Sequence, residues 1–378
     1  GRGSLLLRND DQRFSPWNTA SPYYASGSGL VPLKPVRIRT VRGATTYPEF
    51  RGFVLNWPTQ RVADMESLAR VNLVDAFYLF ANKILPSVWE IEVRADSPRA
   101  WYRLGEESGT TAIDSSGNGH HSIYGGGATF DHRTGLVFGD TDGAIGFDGV
   151  DDVVTVDPAA GLVNDFTIEC WVNMPTVGAD DQVIFEQLGP DGQFFIVAVS
   201  GTAGSAGTMF VQSGTNAAVH VLVGTRRVDD STDHHVVVTR TGGRMFLYID
   251  TVADSSATDS SGTGVGQSSV TIGYAQLSHS ASVVGSRRFK GVLDEVVLYD
   301  SALSSTRRTA HYQAGTTPWT GDTSGARIGR LLDLYGWPSG DRDVAAGQSV
   351  VADAAIQGKT MLAAIQEIVA AEYGFCFV

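Results

Sequence analysis

The chain has 378 residues, of which 42% are hydrophobic, 18% are charged and 44 are glycine. This length is sufficient for two or three separate hydrophobic cores. The net charge of −13 argues against nucleic acid as the main partner, because phosphate binding requires a surplus of Lys and Arg. Two cysteines exclude a disulfide framework, and no apolar run approaches the roughly 18 residues of a membrane-spanning helix.

The charges divide the chain into three blocks. Residues 1–96 carry 12 Lys and Arg against 9 Asp and Glu, a net charge of +3. Residues 97–316 carry 12 against 25, a net charge of −13, and residues 317–378 carry 4 against 7, a net charge of −3. Because such shifts in composition mark domain boundaries, we predict three domains with these bounds. The chain ends in an apolar run at 375–378 that predicts a strand, so we expect the third domain to continue beyond it.

The first block combines predicted strands with one helix. Apolar and basic residues alternate at 36–41, as in a half-buried strand, and 53–57 and 89–93 have similar patterns. Apolar residues three and four apart predict a helix at 72–84 that ends before Pro86. The block is therefore predicted to be α+β. The last block has the same character, with helices predicted at 328–335 and 361–373.

The middle block is predicted to be almost entirely β. Candidate strands follow one another every 8–15 residues and are separated by turn signals such as Asp148-Gly149 and Gly242-Gly243. This pattern is typical of a two-sheet antiparallel sandwich of jelly-roll type. The predicted strands are 143–147, 153–156, 167–172, 183–186, 194–199, 209–211, 219–223, 235–240, 244–249, 269–272 and 291–298.

The motifs of the middle block resemble a laminin-G-like, concanavalin A-like jelly roll. They occur in the order WYRLGE at 101–106, AIDSSGNG at 112–119, IGFDG at 145–149, FTIECWV at 166–172, LYID at 247–250 and FKGVLDEVVLY at 289–299. The resemblance implies a sandwich fold. It also implies glycan or protein binding, commonly with a structural calcium ion.

One loop of this block is a candidate calcium site. The segment 114–119 is rich in oxygen ligands, and its glycines allow backbone carbonyls to turn inward. Ca²⁺ takes roughly six to eight oxygen ligands, so Asp114, Asn118 and, from a late strand, Asp294 could converge on one ion. The resemblance points to the same loop and to Asp294. The alternative is that Asp114 and Asn118 only cap a turn through local hydrogen bonds. No sugar-binding residue is predicted.

Catalysis is disfavoured by the sequence. Glycosidases on this fold place paired carboxylates on one strand face, two or four residues apart. Asp294 and Glu295 are adjacent and are predicted to lie on opposite faces, whereas Glu169 stands alone in its strand. The histidine pairs at 120–121 and 234–235 are predicted to diverge and to be structural. We therefore predict that the chain is not an enzyme.

Both flanking blocks resemble the hub-type minor tail proteins of actinobacterial phages. The resembling segments are PVRIR at 35–39, FRGFV at 50–54, DAF at 75–77, ARIGRLLD at 326–333, GWP at 336–338, LAAI at 362–365 and EYG at 372–374. The resemblance implies a mainly β protein in which the sandwich is inserted between α+β tail-hub-type domains. It also implies a place at the tail tip of a virion, with other tail proteins and symmetry copies, in a homotrimer, as partners.

The resulting hypothesis is that the sandwich projects from the tail and binds a host surface polysaccharide or protein. Three alternatives stay open at this point. The sandwich could be a jelly-roll enzyme that degrades host glycans, or a purely structural domain that braces its tail neighbours. The whole chain could also be a multidomain β protein unrelated to phage tails.

Overall fold

The structure is a computed structural model that describes residues 1–24, 29–63, 66–126, 132–215, 218–259, 269–275 and 287–374. The apolar run predicted as a strand at 375–378 lies outside the described residues. The chain is mainly β, with 41% of its residues in strands and 17% in helices. It forms two compact units. Unit 1 consists of 1–85, 320–352 and 358–378, and unit 2 consists of 86–319 and 353–357.

Unit 1 begins with a five-stranded antiparallel sheet. The strand order is β1-β5-β3-β2, and β4 pairs with β5. Val54, Val71 and Leu73 form its buried core. The elements are β1 (Arg2–Arg8), β2 (Pro35–Arg42), β3 (Thr45–Asn56), β4 (Thr59–Ala63), β5 (Glu66–Val74) and the short helix α1 (Ala76–Ala81).

The helix predicted at 72–84 is mostly wrong. The chain stays extended through Val74, because Val71 and Leu73 are two residues apart and both turn towards the core of the sheet. Helix α1 begins only after Asp75, whose carboxylate accepts a hydrogen bond from the Tyr78 N–H at 3.2 Å.

Unit 2 is an antiparallel sandwich of two eight-stranded sheets. The first sheet has the order β19-β18-β17-β12-β21-β10-β9, with β6 paired to β21, and the second has the order β16-β15-β14-β13-β20-β11-β8-β7. The strands are β6 (Ala100–Tyr102), β7 (Thr111–Ala112), β8 (Ser122–Gly125), β9 (His132–Thr134), β10 (Gly143–Asp148), β11 (Val153–Val156), β12 (Phe166–Asn173), β13 (Gln182–Leu188), β14 (Phe194–Val199), β15 (Thr208–Thr215), β16 (Ala218–Arg227), β17 (His234–Thr241), β18 (Arg244–Ile249), β19 (Val252–Thr258), β20 (Ser269–Ile272) and β21 (Lys290–Tyr299).

All eleven strands predicted in the middle block are confirmed. They are the strands that supply most of the apolar core between the two sheets, which includes Phe166, Phe185 and Leu247. The strands that sequence reasoning missed are β6, β7, β8, β9 and β19. Four of them are only two to four residues long, and β19 has no buried residue, so none presents an apolar alternation.

Two helices cover the outer face of the first sheet. They are α2 (Val88–Ala95) and α3 (Ser305–Thr316), which contact each other. The prediction of a strand at 89–93 is wrong, although Trp-Glu-Ile-Glu-Val alternates with a period of two. The Ser87 hydroxyl caps the helix by accepting from the Glu90 N–H, and Trp89 and Val93, four residues apart, are fully buried on one helical face.

The burial of α2 also shifts the start of the sandwich unit. Trp89 and Val93 share an apolar cluster with Trp101, Trp171 and Val297 of the first sheet. Unit 2 therefore begins at Pro86, before the boundary predicted from charge at residue 97.

Unit 1 is completed by helices from the C-terminal flank, α4 (Ser324–Tyr335) and α5 (Met361–Ala371). Both match helices predicted from the sequence. The ring of Phe80 meets those of Tyr335 and Trp337 edge to face, with centroids 5.3 and 5.1 Å apart. Segments from both ends of the sequence thus share one unit. No helix in the described ranges is long and apolar enough to span a membrane.

A glycine in α3 permits the helix to lie close to the sheet. A β-carbon at Gly315 would lie 2.2 Å from the Trp171 ring, closer than any real contact. We predict that Gly315→Ala lowers the free energy of unfolding of unit 2 by about 1–3 kcal/mol through overpacking. Gly329→Ala, in α4 with nothing near its β-carbon position, should instead raise that of unit 1 by up to about 1 kcal/mol. Urea titrations of both variants test this, and an unchanged Gly315→Ala protein would contradict the packing.

Candidate functional site

A bulge in β21 brings two acidic side chains to the same face of the first sheet. Trp171 of β12 pairs with Asp294 of β21, and Glu169 of β12 pairs with Val297 of β21. The same stretch of the ladder therefore contains two residue steps in β12 but three in β21. The extra residue is Glu295, which has a left-handed backbone with φ of 52°. The prediction that Asp294 and Glu295 lie on opposite faces is therefore wrong, because it assumed a regular strand.

The contacts of both side chains confirm their shared direction. Asp294 is paired with Trp171, and Glu295 accepts a hydrogen bond from the indole N–H of Trp101. Both tryptophans belong to the outer apolar cluster, whereas the neighbouring Leu293 and Val296 point into the core between the sheets.

The two carboxyls belong to an acidic cluster around Arg103, which follows β6. One guanidinium nitrogen of Arg103 lies 2.6 Å from Asp140, and its Nε lies 2.8 Å from Asp142 and 3.3 Å from Glu295. One oxygen from each of Asp140, Asp142 and Glu295 lies within 4.8 Å of the others. Asp140, Asp142 and Glu295 thus contact the Arg103 guanidinium directly, and Glu90 lies farther away, at 3.8 Å. Asp294 has no ion pair with Arg103, but its charge interacts with those of the other four residues. We call Arg103, Asp140, Asp142, Asp294 and Glu295 the Arg103 cluster.

The cluster cannot carry four full negative charges. Burial raises the pKa of Asp142 to about 9, and the hydrogen bond and charge of Asp140 add to the rise. Burial, and then the charge of Asp294, hold the pKa of Glu295 well above its usual range. Burial also opposes ionisation of Asp140, but its hydrogen bond with Asp142 and the charge of Arg103 keep its pKa below the ordinary value. Some of these carboxyls are therefore protonated, or a cation in addition to Arg103 balances their charge.

Asp294 is the least satisfied member of the cluster. Its side chain is almost fully buried, and burial is the main cause that raises its pKa well above the ordinary value. Oδ2 accepts from the Leu136 N–H at 2.7 Å, but Oδ1 has no hydrogen-bond partner among the described residues. A buried carboxyl oxygen without a donor is a place where a cation would fit.

Asp114 and Asn118, the other predicted calcium ligands, are occupied by local hydrogen bonds. Asp114 accepts from the backbone N–H groups of Trp101, Ser116 and His120 at 2.9–3.0 Å. The Asn118 amide donates to the carbonyls of Pro98 and Arg99. Turn capping, the alternative to calcium binding, thus describes what both side chains do. Calcium binding by Asp114, Asn118 and Asp294 together stays a prediction.

Sequence reasoning missed Arg103, Asp140, Asp142 and Glu295. The two loop residues, Asp140 and Asp142, form an Asp-Thr-Asp segment before β10, and this acidic spacing is the signal that could have been noticed. No pattern in the sequence distinguishes Arg103 and Glu295 from other charged residues in or next to strands. Only the bulge and the pairing of β6 with β21 bring them together.

A second buried network lies under α2 and α3. Glu169 of β12 is fully buried and accepts a hydrogen bond from the Tyr299 hydroxyl at 3.0 Å. His235 Nε2 lies 2.6 Å from its Oε1, and His311 Nδ1 lies 2.9 Å from its Oε2. His311 also contacts Asp96 through Nε2 at 2.8 Å. The histidine is thus held between two carboxylates.

The electrostatics of this network favour its charged form. Burial opposes a charge on His311, yet the charge of Glu169 and the hydrogen bonds that His311 donates to Asp96 and Glu169 raise its pKa to about 9. Burial likewise opposes ionisation of Glu169, and the charge of His311 and the hydrogen bond with His235 lower its pKa below its usual range. Glu169, His235 and His311 are all fully buried, so their mutual contacts lie inside unit 2.

The paired histidines diverge as predicted. His235 turns inward to Glu169, whereas its neighbour His234 is held on the other side by Asp250 at 2.9 Å and Asp230 at 3.1 Å. Of the aromatic side chains suited to stack on sugars, Tyr124 is buried with its hydroxyl 2.5 Å from Glu106. Tyr274 is half-buried, and the Arg288 guanidinium lies 3.8 Å from its ring centroid.

Comparison with known families agrees with this architecture. Residues 148–307 match the concanavalin A-like lectin/glucanases superfamily, in its laminin G group. The middle of the chain is a laminin-G-like jelly roll. The match begins at the last residue of β10 and ends in α3, so it includes Asp294 and Glu295 but not Arg103 or the loop with Asp140 and Asp142. No curated protein sequence matches the chain.

Several solved structures are similar to this jelly roll. The botulinum neurotoxin type G receptor binding domain is 11% identical, with a TM-score of 0.43, and 57% of this chain and 51% of that one are covered. The serotype D ligand binding domain in complex with N-acetylneuraminic acid is 12% identical, with a TM-score of 0.42 and coverages of 60% and 52%. The chain thus spans about half the length of these toxin domains.

A shorter relative is domain 4 of an extracellular arabinanase from Geobacillus stearothermophilus, in complex with arabinotriose. It is 18% identical, with a TM-score of 0.42, and 57% of this chain and 98% of that one are covered. The sugars in these complexes are ligands of those proteins.

The raised pKa of His311 predicts a pH dependence. A group whose pKa is higher in the folded than in the unfolded state stabilises the fold fully below its unfolded pKa, about 6.5, and loses this contribution as the pH rises through about 9. The difference in unfolding free energy between wild type and His311→Gln should therefore narrow by about 3 kcal/mol between pH 6 and pH 9.5.

Urea unfolding at several pH values measures this difference. The matched control is His120→Gln, a half-buried histidine beside one carboxylate, Asp157 at 3.0 Å. It should leave most of the pH dependence of wild type in place. A wild-type to His311→Gln difference that stays constant across the range would contradict the charged network.

Proposed function

We propose that the chain is a structural minor tail protein of a phage virion, located at the tail tip, whose jelly roll binds a host surface glycan or protein. One observation supports the binding role most directly. The sandwich of unit 2 matches, over residues 148–307, a superfamily described by its lectins and glucanases. The acidic excess of the chain lies in this sandwich, so an interacting surface that is neutral or basic is favoured over a polyanion.

The tail assignment is supported by the arrangement of the flanks. Their tail-hub-like segments lie on both sides of the jelly roll in sequence, and both flanks contribute to unit 1. In the proposal unit 1 belongs to the tail scaffold, together with other tail proteins and two further copies of this chain. Individual sugar contacts are weak, so three copies on one tail would bind a repetitive polysaccharide through multivalency.

A glycan array with the purified chain tests the binding role. We predict binding to polysaccharides of the host envelope and competition by the free saccharide. The Gly315→Ala variant assigns the binding to a unit, because it weakens unit 2 alone. At a temperature where unit 2 of this variant has unfolded, its binding should disappear, while Gly329→Ala should still bind. Binding that survives the unfolding of unit 2, or no binding to glycans or host cells, would contradict the proposal and favour a bracing role.

A glycan hydrolase is the second candidate, favoured by one observation. In the Arg103 cluster Asp140 has a lowered pKa while Asp142 has a raised one, a division that acid and base pairs of glycosidases also have. Against this role, the two carboxyls hydrogen-bond to each other and both pair with Arg103, and the Asp140 side chain is almost fully buried. Release of reducing sugar from bound glycans, lost in Asp142→Asn, would establish the hydrolase and overturn the proposal that the jelly roll only binds.

We also propose that a structural calcium ion binds unit 2 through Asp294. The unpartnered Oδ1 of Asp294 and the surplus of carboxyls in the Arg103 cluster support this position. Arg103 already supplies one positive charge there, so the ion would add to it or displace its guanidinium.

Calcium should then raise the melting temperature of unit 2. Asp142→Asn should remove most of this rise. Asp114→Asn weakens three hydrogen bonds from backbone N–H groups, so it should lower the melting temperature both with calcium and with chelator. The increase in melting temperature that calcium causes should remain. If Asp114→Asn removes the rise while Asp142→Asn keeps it, the ion lies at the 114–119 loop. If wild type shows no rise, the calcium proposal fails.

A further inference from the structure

The hairpin of β2 and β3 in unit 1 is an arm whose outer part, residues 37–51, pairs with no third strand among the described residues. The two strands pair from Pro35–Phe53 to Arg42–Thr45, across a two-residue turn at Gly43 with φ of 61°. Strand β3 pairs with β5 only at Phe53, Val54 and Asn56. Because an isolated two-stranded hairpin is marginally stable in water, the arm requires further contacts.

One face of the arm obtains such contacts from unit 1 itself. Val36, Ile38 and Phe50 are half-buried and pack against the core of the sheet. They lie on one face, because Val36 and Ile38 are two residues apart and Phe50 is the cross-strand partner of Ile38. The apolar pattern of the hairpin is thus satisfied on this side.

The opposite face is basic and exposed. Arg37 and Arg39 alternate along β2, and Arg51 of β3 lies directly opposite Arg37. Like charges in such a cross-strand pair destabilise a hairpin. Arg51 has an ion pair with Asp341, whereas Arg37 and Arg39 make no hydrogen bond or ion pair with any described residue. The three arginines form what we call the arginine face of the arm.

The charge of the rest of the chain indicates what this face fits. Residues 1–96 have a net charge of +3, and the block with the jelly roll has a net charge of −13. A guanidinium pairs with a carboxylate through two parallel hydrogen bonds, so an acidic protein surface would remove the repulsion between Arg37 and Arg51. A nucleic acid fits less well, because its density of about one negative charge per 1.7 Å would be repelled by the acidic sandwich more strongly than a second copy of the chain would be.

We infer that the arginine face docks on carboxylates of unit 2 in a second copy of this chain. The inference rests on the proposed assembly of several copies, and it adds which surface of each copy makes the contact. Each copy carries one basic arm and one acidic sandwich. Contacts of this kind are heterologous, so they close into a ring when the rotation between copies permits it.

Sedimentation velocity across a range of concentrations tests the contact. Wild type should associate, and its affinity should fall as salt is raised. Arg37→Glu combined with Arg39→Glu should weaken association by about tenfold or more. Arg42→Glu is the matched control, since Arg42 is an exposed arginine of the same strand on the opposite face, and it should change the affinity by less than about twofold. A wild-type chain that is monomeric at about 100 µM, or a double variant that associates like wild type, would overturn the inference.

Zero-length cross-linking then identifies the partner surface. Arg39→Lys keeps the charge and introduces an amine that a carbodiimide joins to a carboxyl in direct contact. In a mixture of isotopically light and heavy chains, we expect mixed-mass cross-links from this amine to Asp or Glu in 86–319. Cross-links only to unit 1, only within one copy, or none at all would each overturn the inference. Glycan binding is measured separately, so a failure here leaves the proposed binding role intact, and the converse also holds.

Discussion

The buried carboxylate of Glu169 is the constraint on which the arrangement of unit 2 depends. A fully buried charge must be paired, and breaking such a pair by removing one partner costs about 3–5 kcal/mol. Glu169 obtains its partners from β17 through His235, from β21 through Tyr299 and from α3 through His311. The carboxylate thus holds the last helix of the unit against the sheet.

The same network reaches the first helix of the unit. His311 contacts Asp96 at the end of α2, and Arg307 of α3 pairs with Glu92 of α2 at 2.6 Å. Charged contacts therefore join the helix with which the chain begins unit 2 to the helix that follows its last strand. Side chains of unit 2 thus hold its first helix and its last helix together. This explains how residues 86–319 can form a unit of their own although unit 1 contains segments before and after them in the sequence.

Strand positions could be predicted from the sequence wherever burial is one-sided and turns are marked. Arg244–Ile249 is the clearest example, since its buried residues alternate with less buried ones and it follows the Gly242-Gly243 turn. The segment at Trp89–Val93 failed because an alternation of Trp, Ile and Val with two glutamates also fits a helix with Trp89 and Val93 on one face. Only the cap at Ser87 distinguishes the two, and a cap is a weaker signal than a period.

The candidate site could be predicted only in part, for a different reason. Asp294 was identified from its motif, but its cluster depends on a single extra residue at Glu295 and on a loop that brings Asp140 and Asp142 next to Arg103. Neither a bulge nor a loop approach has a local pattern in sequence. The distribution of charge, in contrast, could be obtained from the sequence alone. The block of the sandwich has a net charge of −13, and the first 96 residues have a net charge of +3. That separation underlies both the proposed binding role and the proposed contact between copies.

The central claim is that the jelly roll, and not unit 1, meets the host surface. Hydrogen–deuterium exchange of the intact chain, with and without purified host envelope polysaccharide, tests it most directly. We expect slower exchange on binding only in peptides of residues 86–319, with the exchange of unit 1 unchanged. Slower exchange confined to residues 1–85 or 320–352, with the jelly roll unchanged, would contradict it.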